Sequence, residues 1–163
     1  MVRGTFSPAQ AWRPAVVPGS PQTLGCTKPP SCARRVRAQY HFRTTSEGLL
    51  AWDVRRLIKL ASELPVRLVA LASIDEINEN RWYSHGATIP TCKSIVGHCL
   101  LIQSADLSYP IILDSNGRVM DGMHRVCKAL MEGRPHVLAV QFQLDPDPDF
   151  MNRGPESLPY AED

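Results

Sequence analysis

The stretch YPIILDSNGRVMDGMHRVCKALMEGRPHVLAVQF, Tyr109 to Phe142, decides how this chain reads. Tyr109 to Leu113 is a continuous apolar run bounded by a turn signal and predicts a strand. Ser115-Asn116-Gly117 supplies that signal, and an Asn-Gly pair suits a hairpin. Arg118 to Met120 is the returning strand. A helix follows to about Glu132, closed by Gly133 and Pro135. His136 to Phe142 alternates and gives a last strand.

Working outward, Tyr40 to Phe42 predicts a short edge strand. Ser46 predicts the cap of a helix running to about Glu63, with Leu50, Val54, Leu57, Ile58, Ala61 and Leu64 at helical spacing. Pro65 stops it, and Val66 to Leu71 alternates as a strand. Ser73 to Ile77 predicts one helical turn, with Ser73 and Glu76 as a capping box. Asn78 to Pro90 reads as a polar loop containing Arg81, Trp82, Tyr83, His85 and Gly86. Thr91 predicts the cap of a second long helix to about Ser104, burying Ile95, Cys99 and Ile102. The sequence after Phe142, with Asp145-Pro-Asp-Pro-Asp149, reads as a stiff polar extension. The expected fold class is α+β, a mixed sheet packed by helices over residues 40–145, with residues 146–163 as a C-terminal extension.

The chain has 163 residues and a formal charge of +2. Six basic residues and no acidic one precede Tyr40, which leaves −4 for the remainder. Residues 1–39 are therefore read as a disordered, basic, proline-rich tail, or as the product of a start codon set too early. The acidic remainder argues against nucleic-acid binding by the core, because phosphate backbones demand a basic surface. No apolar run reaches the roughly 18 residues of a membrane helix. Five cysteines, an odd number without a secretory signal, fit reduced thiols and a cytoplasmic location.

The helix beginning near Gly122 breaks a local rule. On a wheel, Met123, Val126, Cys127, Ala129, Leu130 and Met131 share one arc. His124, Arg125, Lys128 and Glu132 share the other. His and Arg in a first turn oppose the partial positive charge of a helix N-terminus. Such violations are expected at functional sites. An anion there would gather backbone N–H groups, the dipole and the guanidinium, and Gly122 would let the backbone approach it closely. The plain alternative makes Asp121 an ordinary N-cap, with Arg125 and His124 as surface side chains. A carboxylate cap and a phosphate compete for the same N–H groups. A bound phosphate would therefore turn Asp121 toward a metal ion or a substrate hydroxyl.

This strand–turn–strand–Gly loop–helix–strand order, with Gly-x-His-Arg at the helix start, resembles the core of the ParB-like/sulfiredoxin superfamily. The likeness spans about Leu64 to Phe142 and is strongest from Tyr109 onward. It implies that Gly122, Met123, His124 and Arg125 form a phosphate-binding loop for a nucleotide, ATP or ADP, with Mg2+ as companion. Sulfiredoxins carry a catalytic Cys where this chain has Met123, and a thioether is no thiolate nucleophile. ParB-type partition proteins carry a DNA-reading domain after the nucleotide-binding part, and with its acidic core this chain is not expected to partition chromosomes by itself. The ADP-dependent free-serine kinases carry Asp-Gly-His-His-Arg, which looks like Asp121 to Arg125 with Met123 for the first His. That likeness implies phosphoryl transfer to a small acceptor, with Asp121 facing the acceptor. The carboxylate base such a transfer needs falls among Asp75, Glu76 and Glu79, with Glu76 favoured. Nucleotide hydrolysis is a related outcome. The alternative is a non-catalytic nucleotide-sensing or partner-binding module.

Three further groups carry weaker signals. Trp82 and Tyr83 either stack on a ligand base or pin their loop to the core. Cys92, His98 and Cys99 match no standard zinc spacing. Asp145, Asp147 and Asp149 lack the turn glycine of a calcium loop, so no protein-held metal is expected.

Overall fold

A computed structural model describes residues 39–83 and 89–160. Every described residue belongs to one compact unit, Arg35–Asp163. The basic tail before Gln39 and the loop residues His85 and Gly86 lie outside the described residues.

The Tyr109–Phe142 stretch folds as expected in kind. Strand β4 (Ile111–Leu113) turns into β5 (Val119–Asp121), helix α3 (Met123–Met131) follows, and β6 (His136–Gln141) returns. β5 pairs antiparallel with β4, and β6 pairs parallel with it. β3 (Arg67–Ala70) pairs antiparallel on the far side of β6, giving a four-stranded mixed sheet in the order β3-β6-β4-β5. Asp114, 1 % exposed, shapes the hairpin turn by accepting from the backbone N–H groups of Asn116 and Arg118, each at 2.8 Å.

Period-two alternation in these strands serves two cores. Ile111, Leu113, Val119, Val137 and Ala139 face Met123, Val126 and Ala129 of α3. Ile112, Met120, Val140 and Phe142 face Leu57 and Ala61 of helix α1 (Val54–Ala61), together with Trp52. The centre of the sheet is thus covered on both faces, which explains why Tyr109 to Leu113 reads as a continuous apolar run.

The long helix expected from Ser46 to Glu63 is half that length. Gly48–Asp53 is strand β2, paired with β1 (Tyr40–Thr45), and the helix starts only at Val54. The reason is tertiary. Gly48 has φ +126°, and a Cβ there would sit 1.8 Å from the Asn152 side chain, whose Oδ1 accepts from Leu49 N–H. Asp53, not Ser46, caps α1 by accepting from Arg55 N–H at 2.8 Å.

The stretch expected as a polar extension is built into the domain. Phe150–Met151 forms β7, the third strand of the sheet β1-β2-β7. Trp52 Nε1 donates to Pro146 O at 2.8 Å, and Leu158 is buried. Pro146 and Pro148 are no obstacle, because the chain there uses carbonyls and the Asp149 carboxylate as acceptors.

Helix α2 (Cys92–Ser104) has its expected Thr91 cap, in a reciprocal pair with Ser94. Of the three residues expected to be buried, only Ile102 is; Ile95 and Cys99 are exposed. Among the described residues no helix is long and apolar enough to cross a membrane.

Candidate functional site

Residue Gly122 is the N-cap of α3, at φ +102°. That left-handed conformation suits glycine, and the space above it is taken. A Cβ would lie 2.7 Å from both Ile111 Cγ2 and Arg125 Nη2. No side chain caps the helix, so Asp121 is not the N-cap of the plain reading. Its carboxylate instead accepts from Arg125 Nη2 at 2.8 Å, and the same nitrogen donates to Pro110 O at 3.2 Å. The Arg125 Nε is buried without a hydrogen-bond partner. Arg125 is therefore no solvated surface charge, but a guanidinium folded over the glycine that starts the helix. Met123 is buried in the α3 core and offers the site only its backbone.

His124 turns toward α2. Its Nε2 lies 3.0 Å from His98 Nδ1. The Trp82 indole stacks over both rings, 4.1 Å from the centroid of His98 and 5.0 Å from that of His124, nearly parallel to each. Tyr83 meets His98 edge-on and donates to Ser94 Oγ. Trp82 also packs against the α3 core, the pinning role of the two weighed for it. Burial pushes the His98 imidazole below its usual range. His124 is lowered by burial, then by His98 and Arg125, against an opposing pull from Asp121. Both rings thus favour the neutral form, and one must donate to the other.

The proposed base lies elsewhere. Glu76 is 2 % exposed, and its Oε1 accepts from Val119 N–H at 2.7 Å, with Arg118 Nε at 3.6 Å. The capping box with Ser73 does not form. The turn breaks into two 3-10 segments, Leu71–Ser73 and Asp75–Asn78, neither capped by a side chain. Arg81 Nη2 donates to Val119 O at 2.5 Å and also reaches His41 Nδ1. Glu76 and Arg81 hold both backbone polar groups of Val119, and so fix β5 two residues before Asp121. Asp75, also weighed as a base, sits beside Glu76 in the second segment, and Glu79 pairs with Arg118.

Sequence reasoning missed His98 as a partner of His124. Its one signal was a polar side chain within the apolar middle of α2, residues 95–102. Among the described residues no group of three His, Cys, Asp or Glu side chains is arranged to hold a metal ion. A separate cleft of about 440 Å³ lies against the three-stranded sheet, lined by Tyr40, Phe150, Tyr160, Asp53, Arg55 and Asp149. Its Asp53 is already committed to Arg55 and the α1 cap, so the arrangement at α3 has the richer chemistry. No protein-family model, curated protein or solved structure matches the chain.

Proposed function

We propose that the mouth of α3 binds the phosphates of a nucleotide, ATP or ADP, through the backbone at Gly122 to His124 and the side chains of His124 and Arg125. The observation that carries this reading is a helix starting at a left-handed glycine with no side-chain cap and an arginine in its first turn. Those features together favour an anion. A phosphate could take the Arg125 donor now given to Asp121, and would reach the buried, unpartnered Nε once the guanidinium swings off Gly122. Trp82 and His98 would form the wall beside it.

Binding without chemistry is the better supported version. Glu76 is committed to Val119 and Asp121 to Arg125, so the base for phosphoryl transfer to a small acceptor would have to come from Asp121 released by the ligand. Mg2+ would ride on the phosphates rather than in a protein cage. The resemblance to the ParB-like/sulfiredoxin superfamily and a cytoplasmic setting belong to the same proposal. Thermal shift of the full chain with ATP, ADP, CTP and pyrophosphate, with and without Mg2+, tests it. Stabilisation by at least one nucleotide is expected. No shift with any of them would end the reading. Phosphorylated acceptor or released phosphate that disappears in Asp121→Ala would favour the kinase or hydrolase version.

A further inference from the structure

His98 and His124 stand on different helices with their ring nitrogens 3.0 Å apart, Nδ1 to Nε2. At that distance one proton lies between the rings, donated by one and accepted by the other. The pair therefore has room for one proton beyond its neutral form. That proton makes an imidazolium donating to a neutral imidazole, a charge-assisted bond. A second would set two N–H groups against each other across the same 3.0 Å. The Trp82 indole lies nearly parallel to both rings, 4.1 Å and 5.0 Å from their centroids, within the range at which an aromatic face attracts a cation.

The charges around the pair oppose this proton while the α3 mouth is free. Arg125 and the positive end of the α3 dipole stand beside His124. Asp121, the carboxylate that acts on His124, is held by Arg125. Lys128, one turn along α3, is engaged at Gln103 O and Ala105 O. On the 81–83 segment, Arg81 is turned to Val119 O and the Tyr83 hydroxyl to Ser94 Oγ. Burial alone lowers His98, whereas burial, then His98 and Arg125 lower His124. The added proton therefore belongs on His98, with its Nδ1–H donating to His124 Nε2.

A phosphate at the same mouth reverses the field. We propose that the His98–His124 pair takes up one proton when an anion binds at Gly122 to Arg125, so that phosphate affinity rises as pH falls. The inference rests on the phosphate-binding reading and adds its regulation by pH. The complex holds more protons than the free chain. Affinity is thus gained as pH falls through the range in which the complexed pair protonates, by at most about tenfold per pH unit for one proton, and lost as pH rises through it.

Calorimetric titration of Mg·ATP and Mg·ADP into the full chain at pH 7, in buffers of different ionisation enthalpy, counts the protons taken up. Magnesium keeps the terminal phosphate ionised at this pH, so the uptake belongs to the protein. Uptake above zero and no greater than one proton per nucleotide is expected, with tighter binding at pH 6.5 than at pH 7.5. Proton NMR of the imidazole Hε1 signals assigns the proton. In the free chain His98 and His124 should follow one shared titration curve, and saturating nucleotide should move its midpoint upward. Binding with no buffer dependence and equal affinity at both pH values overturns the proposal and leaves the phosphate site standing. Proton uptake with the His98 and His124 curves unmoved, or two rings that each take a full proton, overturns it as well. No binding heat with either nucleotide removes the phosphate site itself, and the proton coupling with it.

Discussion

Arg125 Nη2 meets Asp121 Oδ2 at 2.8 Å across the glycine that starts α3. The guanidinium fills the space that a side chain at 122 would need. Gly122→Ala therefore brings both a left-handed alanine and contacts of 2.7 Å with Arg125 and Ile111. A loss of about 1–3 kcal/mol is expected in urea unfolding. Arg125 is displaced in the process, so nucleotide binding should fall more than stability does.

Glu76 separates a structural carboxylate from a catalytic one. Glu76→Ala leaves Val119 N–H buried without its acceptor and should cost about 1–3 kcal/mol. Glu76→Gln keeps an acceptor oxygen and should cost clearly less. Nucleotide binding is expected to survive Glu76→Gln. If the Gln variant folded normally yet lost a measured phosphoryl transfer, Glu76 would be the base after all.

His41 predicts the acid behaviour of the fold. Burial, then Arg81 and Arg43, push its imidazole down to about 3. Between that value and the ordinary 6.5, the unfolded chain binds a proton that the folded chain refuses. Stability is then present in full above about pH 6.5 and is lost as pH falls toward 3, by at most about 1.4 kcal/mol per pH unit from this residue. His98 and His124, lowered too, add in the same direction. His41→Gln retains an acceptor for Arg81 and does not titrate. Chemical unfolding at pH 5 and pH 7.5 should show a smaller difference for it than for wild type; an equal difference would remove His41 from the account.

The pairing of His98 with His124 has its own signature. Burial and His98 both hold the His124 imidazole down. His98→Ala opens the site and removes the neighbour, so the His124 titration should move upward. Proton NMR of the imidazole Hε1 signals reads this directly, and an unmoved His124 would mean that the two rings do not interact in solution.

How much of this could be read from residues alone depends on how local each cause is. The β4–β5–α3–β6 order was legible because its signals lie within a few positions: Asn-Gly at the turn, alternation in the strands, Gly122 and Gly133 around the helix. The β1–β2 hairpin was not. Leu50, Val54, Leu57 and Ala61 fit a helical wheel, and the contact that packs Gly48 and Leu49 at the start of β2 comes from Asn152, a hundred positions away. β7 was hidden for the same reason, since a two-residue strand among prolines has no period to detect. At the site, the odd first turn of α3 pointed to Gly122, His124 and Arg125. That Arg125 would fold over Gly122 onto Asp121, and that His98 and Trp82 would cover His124, followed from the packing of α2 and the 81–83 segment against α3. Glu76 was read as a catalytic base or a capping-box partner; its burial against Val119 is a long-range fact that a capping-box pattern imitates.

Calorimetric titration of Mg·ATP and Mg·ADP into the full chain and into Arg125→Ala bears most directly on the phosphate-binding role of the α3 mouth. The account expects measurable binding of at least one nucleotide to wild type, weakened at least tenfold in Arg125→Ala, about 1.4 kcal/mol. Equal affinity in the two proteins, or no binding to wild type, would contradict it.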